Sequence, residues 1–234
     1  MAAEFEPLQR MAARVDRSKD DSDAAYFHDL LYFGELVLKL ITAEILALLQ
    51  DDADRKRFEL ASRCVKASGI GEWSRSLYDA LEGPAALNLP VGARESQQAL
   101  TKKFPVSSDD WQRTAIDSLA AAATCIDTLQ VDPRSKRSSM RDWADTFVWL
   151  RNRTRGHGAP NASKLSAASP HIRRSIDAVV ENYVGFVRPW AHLHRNISGK
   201  YRVTALSSDR SQFEPLTRDP SCNFPNGTYI ALDD

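Results

Sequence analysis

Cysteine, glycine and unbalanced charge are all scarce in this chain, and each scarcity closes off a class of function. The 3 cysteines, Cys64, Cys125 and Cys222, lie far apart, with no Cys-x-x-Cys and no Cys/His cluster. Neither a disulfide framework nor a zinc site is indicated, and no metal is expected. Cys64 and Cys125 fall on predicted helices near apolar residues and read as small core side chains. The 10 glycines are scattered. They form no phosphate-cradling loop, and neither His-Glu-x-x-His nor Gly-x-Ser-x-Gly occurs, which argues against P-loop nucleotide chemistry and predicts no cofactor. Lys+Arg and Asp+Glu both number 31, so the global balance predicts no nucleic-acid or membrane partner. The greasiest run, Leu30 to Leu49, is interrupted by Glu35, Lys39 and Glu44, and a lipid-facing span does not readily tolerate three charges. Met1 to Asp23 is charged and lacks the apolar stretch of a signal peptide. The expectation is a cytoplasmic protein without a membrane partner. No repeat of fixed period and no low-complexity tract is visible.

What is present is ordinary globular material, 43% hydrophobic and 26% charged over 234 residues. That is enough to bury one core, or one core and a small appendage. The periodicity predicts an all-α multi-helix bundle with a short β-like C-terminal appendage. Residues 1–22 read as a polar arm or short helix, 23–197 as the helical domain, and 198–234 as the appendage or the start of a further module beyond residue 234. The longest helix is expected from Asp23, as N-cap, to Gln50. Phe27, Leu30, Leu31, Leu38, Ile41, Ile45 and Leu48 recur there at three- and four-residue spacing, with one gap at Gly34.

Further helices are expected over 51–68 (apolar side Phe58, Ala61, Val65), 72–81 and 107–130, the last with a close-packing alanine run. Another starts at the capping pattern Ser139-x-x-Asp142. The final one starts near Pro170, read as a first-turn residue, and ends near Pro189. Residues 84–106, with three prolines, read as either a loop or a linker between helical halves, and 158–169 as a loop. Tyr201–Leu206 and Gly227–Leu232 read as strands.

Charge is uneven locally. Residues 1–60 carry more acid than base, whereas over 134–157 Arg134, Lys136, Arg137, Arg141, Arg151, Arg153 and Arg155 stand against only Asp142 and Asp145. The same stretch holds the segment that stands out, Arg151-Asn152-Arg153-Thr154-Arg155-Gly156-His157-Gly158. A structural reading makes Arg153 and Arg155 partners of the helix dipole, Gly156 the C-cap and His157 a capper of carbonyls. It does not account for Arg151, which follows Phe147 by four residues and Trp143 by eight and so lies on the apolar face. Gly156 lets the chain leave the helix, so that His157 can fold back towards Arg151 or Asn152. An imidazole with an ordinary pKa near ~6.5 takes or gives a proton at neutral pH. A guanidinium binds phosphate oxygens with a planar fork and stabilises charge growing on them.

Arg151, five intervening residues and His157, with the polar Asn152 in second place, resemble the Arg-x(4–6)-His motif of HEPN domains. The resemblance spans residues 23–195. It implies an all-α bundle with the motif at the end of a late helix. Two such motifs would meet across a homodimer and cleave RNA by attack of its 2′-hydroxyl, without metal and leaving a cyclic phosphate. Carried over, Arg151, Asn152 and His157 are the catalytic set, with Arg153, Arg155, Arg141, Lys136 and Arg137 as RNA-binding neighbours. A defence or toxin-like role follows from the same likeness. The alternatives are a non-catalytic HEPN-like module that dimerises or binds a nucleotide, RNA or a partner domain within a larger regulatory protein, and a purely structural domain. His192 and His194 read as last-turn helix caps. Trp73, Trp111, Trp143 and Trp149 read as core, and Asp145 as the partner of Arg141.

Overall fold

The apolar run from Phe27 to Leu48 becomes the axis of the protein. The structure, a computed structural model, describes residues 4–50, 55–127, 137–156, 161–207, 211–218 and 221–232. In it this run is helix α2 (Asp23–Leu48), preceded by α1 (Glu6–Asp21). Ser22, not Asp23, caps α2. Its Oγ accepts the Ala25 N–H at 3.1 Å, and Asp23 sits in the first turn, where negative charge suits the dipole. Phe27, Leu30, Leu31, Phe33, Val37, Leu38, Ile41 and Ile45 are no more than 1% exposed, as the broad stripe predicts. The gap at Gly34 is a seat for an aromatic ring: a Cβ there would stand 2.2 Å from Phe147.

Around this axis pack α3 (Lys56–Lys66), α4 (Ile70–Glu82), α5 (Arg94–Thr101), α6 (Trp111–Ile126), α7 (Met140–Gly156) and α8 (Ala162–Asn182). Helices α6 and α8 make the broadest contact of any pair. The alanine run allows it, since Ala115, Leu119, Ala122 and Ala123 are fully buried. Ser175 of α8 donates to the Ala115 carbonyl at 2.7 Å and accepts from Trp143 Nε1 at 2.9 Å, joining three helices through one hydroxyl.

Several helices differ from expectation. On α3 the inward residues are Leu60 and Cys64, while Phe58 and Val65 are 70% and 87% exposed. Two stripes of equal helical spacing compete there, and docking against α4 selects the one with Leu60. Residues 84–106 are not a plain loop. They form two 3-10 turns, Pro84–Asn88 and Val91–Ala93, then α5, whose Gln97 donates to the Leu81 carbonyl at 2.9 Å. Helix α8 begins well before Pro170. Asn161 caps it by accepting the Lys164 N–H at 3.0 Å, and buried Leu165 and Ala168 extend its inner face. Pro170 therefore lies inside the helix.

Among the described residues there are two small antiparallel sheets. Strands β1 (Phe104–Pro105) and β2 (Arg137–Ser138) pair before α6 and α7. At the C-terminal end β3 (Trp190–Arg195) is the middle strand, flanked by β4 (Tyr201–Ala205) and β5 (Gly227–Ile230). The expected strands at 201 and 227 are present. The central one replaces what the sequence reads as a helix end. Its alternation is short, with Ala191 and Leu193 inward and His192 and His194 outward, and follows directly on a strongly helical pattern. Ala191, Leu193, Tyr201 and Phe213 form a second small core under the 3-10 segment Ser211–Thr217. Trp190 anchors the sheet to the bundle: its Nε1 donates to the Gly185 carbonyl at 2.9 Å, and its ring lies 5.1 Å from that of Phe5. Among the described residues no helix is long and apolar enough to cross a membrane.

Candidate functional site

Helix α7 starts as its sequence predicts, with the Asp142 carboxylate accepting the Ser139 N–H at 2.8 Å. Trp143 and Phe147 are buried and stacked at 5.7 Å. Phe147 fills the seat at Gly34, which fixes where α7 crosses α2. One turn further along, the same crossing brings Arg151 over the residue after that glycine. Arg151 Nε donates to Glu35 Oε1 at 2.8 Å, with side-chain exposures of 24% and 11%. Arg151 Nη1 reaches Asn152 Oδ1 at 3.5 Å. Two of the three residues read as catalytic therefore sit together, with an acidic partner that the sequence reading did not assign. His157 lies outside the described residues, as do Lys136 and the side chain of Arg155.

The cation-rich stretch does not stand open as a bare basic patch. Arg153 meets Asp127 at the end of α6, 3.2 Å away. Arg141 meets Glu82 of α4 at 2.8 Å and lies over the Tyr78 ring at 5.2 Å. Arg141 thus bonds across to another helix and not to Asp145, the expected partner. Burial nevertheless pushes the Asp145 carboxyl above its ordinary range, against the pull of Arg141. Arg137 lies in β2. Among the described residues of this stretch, Arg141, Arg151 and Arg153 are each offset in space by a carboxylate, from α4, α2 and the end of α6.

The other sequence candidates resolve as follows. His192 and His194 are exposed on β3 and cap no helix. Trp143 is core, while Trp73, Trp111 and Trp149 are half-buried at its edge. Among the described residues no group of three or more His, Cys, Asp or Glu is placed to hold a metal ion. A mixed-charge cleft of about 920 Å³ lies between α1, α2, α6 and α8, lined by Tyr26, Trp111, Arg173, Arg174, Asp177 and Glu181 among others. Of the sequence candidates only Trp111 lines it, and Arg151, Asn152, Arg153, Arg141 and Arg137 do not.

One polar centre escapes a sequence reading altogether. Glu44, fully buried in α2, accepts from the Tyr183 hydroxyl, from Arg188 Nη1 and from Ser96 Oγ, the last at 2.9 Å. Arg188 also donates to Ser96 Oγ at 2.7 Å and to the Gly92 carbonyl at 2.9 Å. Burial raises the Glu44 carboxyl above its ordinary value, and the donors from Tyr183, Arg188 and Ser96 pull it back. Gly185 is required beside it, since a Cβ there would stand 2.2 Å from the carboxylate. The available signal was that Glu44, like Glu35 and Lys39, interrupts an apolar helical run. The cluster ties α2, α5 and the end of α8 together, and Arg188 also lines a cavity of about 500 Å³ with Val91, Gly92 and Arg94.

Compared with known proteins, the chain matches no family model, no curated protein and no solved structure.

Proposed function

We propose that this chain is a metal-independent endoribonuclease of HEPN type, built on a HEPN-like bundle and acting as a cytoplasmic homodimer in a defence or toxin-like system. One observation carries the reading: Arg151, on the last turns of α7, is held by Glu35 with its Nη1 edge beside Asn152, and the chain passes through Gly156 to His157 directly after. A guanidinium fixed in advance is what stabilisation of a phosphorane-like transition state requires, because it need not reorganise as charge grows. In this scheme His157 takes the proton of the 2′-hydroxyl as its oxygen bonds to phosphorus, the phosphorus–5′-oxygen bond breaks with the proton returned to the leaving 5′-oxygen, and Arg151 stabilises the non-bridging oxygens. Arg141, Arg153, Arg155, Lys136 and Arg137 guide the strand. Two motifs facing each other across a two-fold axis complete the site.

The test is a gel and mass-spectrometric assay on mixed RNA. Wild type is expected to leave 2′,3′-cyclic phosphate or its 3′-phosphate hydrolysis product, with EDTA having no effect. Arg151→Ala lowers the rate on the order of a hundredfold or more. Arg151→Lys does not restore it fully, because an ammonium lacks the planar fork. His157→Ala abolishes it. Equal cleavage by wild type and His157→Ala sinks the assignment, as does activity that vanishes with EDTA.

A second reading draws on the same ion pair. Glu35 takes up part of the charge of Arg151, which suits a non-catalytic HEPN-like module that dimerises or binds a nucleotide, RNA or a partner domain. Binding of RNA without cleavage by any variant, together with a dimer in solution, selects that reading.

A further inference from the structure

No aspartate or glutamate stands between Glu181 and Asp209, in a chain whose charges otherwise balance. One cation of this interval, Arg188, turns inward to Glu44. The others belong to the β3–β4 hairpin, and the register of the sheet decides where they point. Residues opposite each other on antiparallel strands share a face. His192 stands opposite Thr204 on one side and Thr228 on the other, and His194 opposite Arg202. Their neighbours Ala191 and Leu193 face the small core beneath. His192, His194, Arg202, Thr204 and Thr228 therefore form one face, and all five are exposed. Within it His192 Nδ1 lies 3.3 Å from Thr228 Oγ1, in hydrogen-bond reach. The Arg202 guanidinium makes no hydrogen bond or ion pair among the described residues. Lys200 adds an exposed cation beside the turn, where Gly199 takes a φ of 82°.

We propose that this open sheet face binds the backbone of single-stranded RNA. The guanidinium of Arg202 and the ammonium of Lys200 meet phosphates, and no carboxylate within the sheet repels a polyanion. The Thr204 and Thr228 hydroxyls and the imidazoles both donate and accept, so they pair with 2′-hydroxyls as well as with phosphate oxygens. A strip of donors on a flat sheet suits a flexible single strand, which can lie along it. A lipid surface is a poorer fit, because the hairpin offers one fully exposed apolar side chain, Ile197 at the turn. The proposal rests on the sheet and not on the Arg151 site. It names the surface that would hold RNA whether or not the chain cleaves it.

The experiment reads binding and not cutting. All proteins carry His157→Ala, and fluorescence anisotropy follows a labelled oligouridylate at several salt concentrations. Lys200→Gln with Arg202→Gln is expected to weaken binding about tenfold at low salt and to flatten the salt dependence by about 1.4 in log–log slope, two phosphate contacts' worth. Thr204→Val with Thr228→Val is expected to erase any preference for oligouridylate over oligodeoxythymidylate. The exposed Lys103→Gln, outside the hairpin, leaves affinity unchanged. The proposal is overturned if the parent protein does not bind the RNA, or if Lys103→Gln costs as much as Arg202→Gln. It is equally overturned if phosphatidylglycerol vesicles are bound in preference and Ile197→Asp abolishes that binding. Failure of cleavage in the Arg151 experiments leaves these outcomes untouched, and the reverse also holds.

Discussion

Helix α7 and the β3–β4 hairpin both look basic in sequence, and they end in opposite electrostatic situations. On α7 the described arginines each find a carboxylate on another element: Arg141 finds Glu82, Arg151 finds Glu35, and Arg153 finds Asp127. On the hairpin, Arg202 finds none among the described residues. What differs is the surroundings, since both stretches are rich in cations. Helix α7 lies beside α4, α2 and the end of α6, each of which sets one carboxylate against an arginine of it. The hairpin stands at the end of the bundle, within an acid-free interval of the chain. A count along the sequence therefore measures charge supply, and only packing shows how much of it stays available to a ligand.

The comparison can be broken most forcefully at Arg188, the one cation of the acid-free interval that is buried. Arg188→Met leaves the Glu44 carboxylate without its cation and is expected to cost about 3–5 kcal/mol in urea unfolding at neutral pH. Because burial already holds the Glu44 carboxyl above its ordinary value, losing the cation raises it further. A carboxyl raised on folding stabilises the fold at low pH and loses that contribution as pH rises from the ordinary carboxylate range through its folded value. The deficit of the variant should therefore shrink towards pH ~4. A deficit independent of pH would show that packing and not charge is at stake.

Glu35→Gln sharpens the contrast by making α7 resemble the hairpin. An acceptor remains for Arg151 Nε while the countercharge is lost, so the expected cost is about 1–2 kcal/mol. RNA affinity should rise if α7 faces phosphate. Unchanged affinity in anisotropy would remove α7 from the RNA path. Arg141→Gln, at a pair about half exposed on both sides, should cost no more than about 1 kcal/mol, and less in high salt. Smallest of all, Lys200→Gln with Arg202→Gln should shift thermal unfolding within about 0.5 kcal/mol. A larger loss would mean that the hairpin cations have structural partners after all.

The sequence disclosed parts of this arrangement and concealed others for definite reasons. The stripe on α2, its gap at Gly34, the cap of α7 and the inward position of Arg151 all follow from spacing within one helix, which is local information. Glu35 as the partner of Arg151 is not local: more than a hundred residues separate them, and no periodicity encodes which helices cross. The same applies to Glu44, which along the chain is only an interruption in an apolar run. On α3 two apolar stripes have equal spacing, and the choice between them belongs to α4. Strand β3 hid because four residues of alternation follow a strongly helical stretch. The start of α8 hid because three serines and an internal proline obscure a stretch whose Ala, Leu and Lys residues favour helix, and because the inward face of Leu165 and Ala168 is too short to show a period.

Phe5 has a kinetic consequence. Its ring lies beneath Trp190, its backbone bridges Ser207, and the next residue, Glu6, donates to the Leu206 carbonyl at 2.7 Å. These contacts join the segment leading into the first helix to the last sheet, so they close a loop that spans most of the chain. Loop-closure entropy makes such contacts late to form and early to open. The bundle can assemble without them, and they add a second tether to the sheet beside the Trp190 anchor. Hydrogen exchange should therefore find the β3–β4 amides exchanging through a sub-global opening that leaves the α6–α8 pair protected, and deletion of residues 1–5 should accelerate that opening selectively.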